Sequence, residues 1–430
     1  STVRLTSDKI RKKLGSAAFD TYEWQLTSHL GTMEEVNRLV LYQCDYEMTP
    51  WTRRCLRQAD AILIVARADQ KPDVGFLETE FEHIKGQGIG RSLKMLILLH
   101  PENTQRPQKT ASWLNLRGWL TTHFHIKAPN AFFTNTYRNE KRRRHKSISG
   151  GSNLYRTISN DSVETRTSSA NSSHNVTSSS NQSLNGSPIH SVHSLKGRSP
   201  NGGTPDSEHS LPSNHSGNSP GSKYFAINDG SKYSDFGRLA RFLTGTSVAL
   251  VFGGGGARGM SQIGIIKTLV EQGIPIDLVG GTSIGAFNSA VWAKTRNIDE
   301  MNKISEVFSR SMSSIMNKLL EATYPHTSFF SGRIFGSELA KTLDENQTIE
   351  DLWIPYFCVS VDLNTSCQRI HTHGSLWRYI RASMSLAGYL PPICDPVDGH
   401  YLMDGGYINN LPADIAKDMF GACKVIAVDV

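Results

Sequence analysis

SVALVFGGGGARGMSQIGIIKTLVEQGIPIDLVGGTSIGAFNSAVWAKTR (247–296) decides the fold. SVALVF (247–252) is an apolar run of strand length that runs directly into glycines, and MSQIGIIKTLVEQG (260–273) has helical periodicity. A glycine-rich turn between strand and helix exposes backbone N–H groups at a positive helix end and suits an anion. Gly254, Gly256 and Gly259 also satisfy the dinucleotide spacing G-x-G-x-x-G. That reading requires an acidic residue at the end of the next strand. After DLVG (277–280) the chain has Gly281-Thr282-Ser283-Ile284-Gly285 instead, so the nucleotide reading fails.

The pentapeptide is a G-x-S-x-G elbow, with a strand before it and a helix, AFNSAVWAKTR (286–296), after it. A sharp strand-to-helix turn lifts the serine oxygen clear, and flanking glycines relieve the crowding. Context matters, because Gly217-Asn218-Ser219-Pro220-Gly221 matches the same pattern within a polar stretch with no strand or helix around it. A structural turn at Ser283 is the competing reading, and the adjoining glycine loop argues against it. A serine nucleophile needs a base. The usual hydrolase order is Ser, Asp or Glu, then His, but no histidine follows Asp404; His326, His371, His373 and His400 all precede it. Asp404 itself ends an apolar run in YLMDGGYINNLP (401–412), as at a strand end entering a tight turn. An isolated Asp-Gly-Gly is more often only a turn. Beside a glycine loop and an elbow, it is the leading base candidate.

Gly-Gly-Gly-Gly-Ala-Arg-Gly (253–259), Gly-Thr-Ser-Ile-Gly (281–285) and Asp404-Gly405-Gly406, in this order, are similar to the three signatures of patatin-like phospholipases. RASMSLAGYLPPICDP (381–396) resembles the family's fourth block, so the likeness covers about 240–430. TPWTRRCLRQADAILIVARADQ (49–70) and LWRYIRASMSLAGYLPPICDPVDGHYLMDGGYINNLPADIA (376–416) resemble the neuropathy target esterase/Swiss cheese branch, which extends the likeness to the first domain.

The resemblance implies an α/β fold with a mixed central sheet flanked by helices. Ser283 would attack an ester carbonyl while Asp404 takes its proton. The glycine loop, Gly254, Gly255, Gly256, Ala257, Arg258 and Gly259, would cradle the oxyanion, through the N–H groups around Gly255 and Gly256 together with that of Ile284. Arg258 matches the family's basic position and would steady or cap the loop. Phe329, Phe330, Tyr389 and Leu390 are candidates for an acyl groove, against the commoner reading of such residues as core. The family calls for no metal and no cofactor. Its implied substrates are lysophosphatidylcholine-type lipids first, then diacyl phospholipids and neutral glycerides; a non-catalytic lipid-binding scaffold is the alternative from another class. The implied setting is a membrane surface, cytosol-facing at the endoplasmic reticulum in the full-length protein. The branch carries an N-terminal membrane helix and cyclic-nucleotide-binding-like domains, which this chain does not contain.

Three parts are expected. Residues 1–135 read as a smaller, Rossmann-like α/β scaffold unit with one small parallel sheet. RLVLYQ (38–43), AILIVAR (61–67) and KMLILLH (94–100) are nearly continuous apolar runs, as in strands buried on both faces. Thr49 and Pro50 suit the N-cap and first position of a helix over 49–60. Residues 136–232 are Ser, Asn, Gly and Pro with a basic run, YRNEKRRRHKS (137–147), and predict a disordered linker. The run is a solvated cluster, an anionic-lipid contact or a kinase site at Ser147 or Ser149. Residues 233–430 are the expected catalytic domain, C-terminally incomplete because VIAVDV (425–430) reads as a strand at the chain end. A charge of +7 that is mostly local gives nucleic-acid binding little support. The six cysteines lack a C-x-x-C pair, which argues against disulfide or zinc frameworks. No apolar run approaches the roughly 20 residues that span a bilayer.

Overall fold

The computed structural model describes residues 1–19, 23–83, 92–133, 233–324 and 326–430. The expected linker, its basic run and the second G-x-S-x-G match at 217–221 lie outside the described residues. The described parts before and after that stretch belong to one compact unit.

The first part contains β1 (Thr2–Thr6), β2 (Leu39–Gln43), β3 (Ala61–Arg67), β4 (Leu93–Pro101) and β5 (Thr122–Ala128). These strands form two sheets rather than the single one expected: β1 pairs parallel with β2, and β3-β4-β5 form a separate parallel sheet. The expectation of strands buried on both faces holds for β4, whose Met95–Leu98 are buried, and fails for β2 and β3. β3 is an edge strand with Val65 exposed, and β2 exposes Leu41 from a two-stranded sheet. Between β2 and β3 stands the helix Pro50–Gln58, capped by Thr49, whose hydroxyl accepts from Thr52 N at 3.2 Å. Trp51 at its start is buried and donates Nε1–H to the Gln43 carbonyl at 2.9 Å, tying the helix to β2.

The second part holds β6 (Val248–Phe252), β7 (Leu278–Thr282), β8 (Tyr356–Asp362), β9 (Cys367–His371), β10 (Ile393–Cys394), β11 (Tyr401–Asp404) and β12 (Lys424–Val428). They make one mixed seven-stranded sheet. β12, β6, β7 and β8 run parallel, while β9 and β11 pair antiparallel with β8, and β10 with β11. β6, β7 and β8 are buried along their whole length, as expected of central strands covered on both faces. The helix Ile284–Thr295 is buried from Ile284 to Ala293 and forms the hub of the core, with Phe287 stacked on Phe308 at 4.4 Å between centroids.

Register brings the two candidate site strands together. Thr282, the last residue of β7, lies opposite Val359 of β8, and Asp404, the last of β11, lies opposite the next residue, Ser360. The residue after Thr282 is Ser283.

The two parts meet along residues 344–353 and along the helix Asp235–Leu243. Thr110 N donates to Asp351 Oδ1 at 2.9 Å, and Trp353 Nε1–H donates to the Gln105 carbonyl at 3.0 Å. His123 and His125 both bond the Glu350 carbonyl through Nε2, at 3.0 and 2.8 Å. The buried His125 Nδ1 lies 2.9 Å from His100 Nε2. Since His125 spends its Nε2 proton on a carbonyl, its Nδ1 accepts and His100 donates.

Candidate active site

Ser283 has φ 56° and ψ −123°, a strained conformation for a side-chain-bearing residue. The strain is sustained by close backbone packing. A β-carbon on Gly285 would stand 2.4 Å from the Phe252 carbonyl oxygen, and one on Gly281 would stand 2.5 Å from the same atom. Only glycine fits at either place, so β6, the elbow and the following helix interlock. Thr282 Oγ1 donates to the Asn409 carbonyl at 2.8 Å, joining the elbow to the segment after Asp404.

Asp404 is buried, and β11 ends there in the tight turn expected. Its Oδ1 accepts from Gly406 N at 2.8 Å, while its Oδ2 is buried with no partner in hydrogen-bond geometry among the described residues. Burial pushes the Asp404 carboxyl above its usual range, and the Gly406 N–H and the nearby Ser283 hydroxyl pull back part of that rise. The Ser283 hydroxyl is thus near the carboxyl without being aligned on it.

The glycine loop lies beside the elbow. A β-carbon on Gly254 would approach Ser283 Cβ to 3.1 Å. Gly253 N donates to the Val428 carbonyl at 2.9 Å and Gly254 N to the Asn410 carbonyl at 3.2 Å, so both are already engaged. Gly255, Gly256 and Ile284 have backbone N–H groups that meet no carbonyl acceptor among the described residues outside their own helices. Gly256–Met260 form a short 3-10 turn that leaves Ala257 and Arg258 exposed, while Gly259 is buried against Ile284.

Several supporting residues carried no motif. Asn410 clamps the loop from both sides, its carbonyl accepting from Gly254 N and its Nδ2 donating to the Gly254 carbonyl at 3.2 Å. Gln262 Nε2 donates to the Gly253 carbonyl at 2.9 Å, and Asn288 Nδ2 donates to both Gln262 Oε1 and the Gly259 carbonyl at 2.8 Å. Gln262 and Asn288 are fully buried, so this chain fixes the loop in a dry setting.

No hydrogen bond joins any of the four histidines to Ser283 or Asp404 among the described residues. His371 is buried, stacked on Tyr379, and bonded to Ser360 Oγ at 2.6 Å; burial pushes its pKa down to about 4. His400 Nδ1 lies 2.7 Å from Asp362 Oδ2, and His326 and His373 are exposed. Asp362, Asp398 and His400 are the one group among the described residues with metal-ligand spacing. Arg369 already pairs with Asp398 and with Asp395, the latter at 2.9 Å, so the group belongs to an ion-pair network. The four acyl-groove candidates do cluster. Phe330 meets Tyr389 edge-on at 4.9 Å, Leu390 is buried, and Phe329 and Tyr389 are exposed. The cavity between Phe330, Phe335, Tyr389 and Leu390 measures about 30 Å3, too small for an acyl chain as it stands.

A family profile described as the Neuropathy Target Esterase family P-loop like domain matches residues 1–187, and the patatin-like phospholipase profile matches 250–417. The chain belongs to the patatin-like phospholipase family, in its neuropathy target esterase branch. It is 42% identical over 427 residues to patatin-like phospholipase domain-containing protein 7 of Rattus norvegicus, covering 99% of this chain and 26% of that protein. It is 41% identical over 430 residues to patatin-like phospholipase domain-containing protein 6 of Homo sapiens, covering 100% of this chain and 25% of the relative. With neuropathy target esterase sws of Drosophila melanogaster it shares 40% identity over 430 residues, 100% of this chain and 24% of the relative. The chain therefore spans about a quarter of the length of these curated relatives.

Proposed function

We propose that this patatin-like chain is a lipid ester hydrolase that cleaves the carboxylic ester of lysophospholipids, with Ser283 as nucleophile and Asp404 as its base. The observation that carries the reading is the buried Oδ2 of Asp404, without a hydrogen-bond partner among the described residues and close to a serine held on a strained elbow. Ser283 Oγ bonds to the ester carbonyl carbon and passes its proton to Asp404. The N–H groups of Gly255, Gly256 and Ile284 receive the oxyanion, each such donor being worth about 3 kcal/mol to the transition state. Collapse expels the glycerol oxygen, which takes the proton from Asp404. Water then attacks the acyl-serine, again giving its proton to Asp404, which returns it to Ser283 Oγ as the fatty acid leaves.

A membrane surface is the proposed source of substrate. Among the described residues no helix is long and apolar enough to cross a membrane. Leu320, Tyr324, Phe329, Leu386, Tyr389 and Tyr407 are nevertheless exposed. Three of their segments are joined: Phe329 N donates to the Gly388 carbonyl at 2.7 Å, and Ala387 N to Tyr407 Oη at 2.9 Å. Leu386 lies one residue beyond the partner of Asp404 N, so this apolar surface borders the candidate dyad. It suits contact with a lipid surface. The cytosol-facing reticulum membrane is the setting that the family resemblance implies.

The test is turnover of lysophosphatidylcholine, phosphatidylcholine, a triacylglycerol and a short phenyl ester by the purified protein, with Ser283→Ala as control. Fastest turnover of the lysophospholipid, abolished in the control, supports the proposal. Preference for a diacyl or neutral lipid replaces the substrate class. No hydrolysis of any ester favours the scaffold reading.

A further inference from the structure

The strained Ser283 backbone leaves its N–H outside both the β7 ladder and the helix that follows. That N–H donates to Ser383 Oγ at 2.9 Å, and the Ser383 hydroxyl donates to the Val359 carbonyl at 2.6 Å. Ser383 is fully buried at the end of the helix Leu376–Ser383. A serine in a helix commonly spends its hydroxyl on the carbonyl four residues back. Ser385 does this with the Arg381 carbonyl at 2.8 Å, whereas Ser383 reaches across to two other elements. The same turn also holds the other candidate: Asp404 N donates to the Ser385 carbonyl at 3.0 Å, and the buried Arg381 guanidinium bonds Ser385 Oγ. Residues 383–385 thereby link the backbones of Ser283 and Asp404.

We propose that Ser383 is a positioning residue for the ester hydrolysis: its hydroxyl fixes the Ser283 backbone against β8 and thereby aims Oγ at Asp404. The inference rests on Ser283 being the nucleophile. Val359, which receives the Ser383 proton, also packs against the turn after Asp404, where a β-carbon on Gly405 would lie 2.4 Å from the Val359 carbonyl oxygen. The Ser383 hydroxyl therefore references the elbow to the same atom that locates the Asp-Gly-Gly turn. Removing it leaves the half-buried Ser283 N–H without its acceptor, and the elbow must turn to find another. A displacement of about 1 Å at a reacting atom costs on the order of 100-fold in rate.

The experiment measures kcat and KM for a short phenyl ester, and the rate of covalent labelling by an organophosphorus ester, in Ser383→Ala, Ser383→Cys and Ser283→Ala. The expected result is a kcat lowered about 10- to 100-fold in Ser383→Ala. KM should stay within about 3-fold, labelling should slow by a similar factor, and Ser383→Cys, which keeps a hydrogen-bonding group, should lie between. A Ser383→Ala protein with parental kcat, or one that raises KM alone, overturns the proposal. If Ser383→Ala does not fold, Ser383→Cys decides: parental kcat and labelling rate overturn it, and a kcat-only loss supports it. Ser283→Ala separates the two claims, since an active Ser283→Ala protein refutes the nucleophile itself, whereas an inactive one beside a fully active Ser383→Ala refutes only the positioning role.

Discussion

Gly285 approaches Phe252 so closely that a β-carbon on the glycine would stand 2.4 Å from the Phe252 carbonyl oxygen and 2.7 Å from that of Gly253. These are backbone atoms of β6 and of the glycine loop, and no side-chain rotation relieves the overlap. The elbow and the glycine loop are therefore one packed unit.

Gly285→Ala should destabilise the protein by about 1–3 kcal/mol or more, the usual cost of overpacking a buried site. It should also lower esterase activity at least about 100-fold, because the elbow and the loop separate. Gly264→Ala is the control: it lies in the helix Ser261–Glu271 with nothing within 4 Å of the added carbon. It should stabilise by about 0.5–1 kcal/mol through helix propensity and leave activity intact. Thermal melting and phenyl-ester turnover of both variants check this, and equal behaviour of the two contradicts it.

Asp404 must be ionised to accept a proton, and its folded pKa is raised by burial. Activity should fall as pH drops through that raised pKa, so the acid limb of kcat/KM should have its midpoint above the ordinary value of 3.8. For stability the sign is opposite to that of a salt-bridged carboxylate. With the folded pKa above the unfolded one, the folded state binds more protons in between, and stability is lost as pH rises through that window. Asp404→Asn removes the penalty while retaining an acceptor for Gly406 N. It should therefore melt at a higher temperature than the parent at pH 7 while losing activity; a lower melting temperature contradicts this.

The histidines between the two parts predict an acid-sensitive junction. Burial pushes His100 and His123 down to about 4 and His125 well below its ordinary value of 6.5. These groups are neutral when folded and take up protons on unfolding, so stability should fall as pH drops from about 6.5 toward 4. His371, also at about 4, contributes the same slope from the seven-stranded sheet. His100→Gln retains a side-chain donor for His125 and should flatten part of the melting-temperature decline between pH 6.5 and 4.5. An unchanged slope sinks the assignment.

Strands, helices and caps were legible because they depend on neighbouring residues: Thr49 before Pro50 caps its helix as the local sequence predicts. Ser283 and Asp404 stood out because elbows and Asp-Gly-Gly turns require glycine at fixed offsets. Ser383, Asn410, Gln262 and Asn288 were not legible. Ser383 reaches Ser283 across 100 positions and Asn410 reaches Gly254 across 156, and ordinary Ser and Asn residues announce no such partner. The split between β2 and β3 was hidden for a similar reason. Both are short apolar runs, and whether two such runs pair with each other is decided by the helices packed around them.

The central claim is that Ser283 and Asp404 act as one unit without histidine. The most direct measurement is kcat/KM on a phenyl ester for Ser283→Ala, Asp404→Asn, their double variant, and single Gln or Asn replacements of His326, His371, His373 and His400. The account predicts that both singles and the double fall by about the same factor, at least about 1,000-fold, because residues acting together do not add their losses. Each folded histidine variant should keep most of its activity. A double variant whose loss equals the product of the single losses, or a histidine variant as inactive as Asp404→Asn, would contradict the dyad.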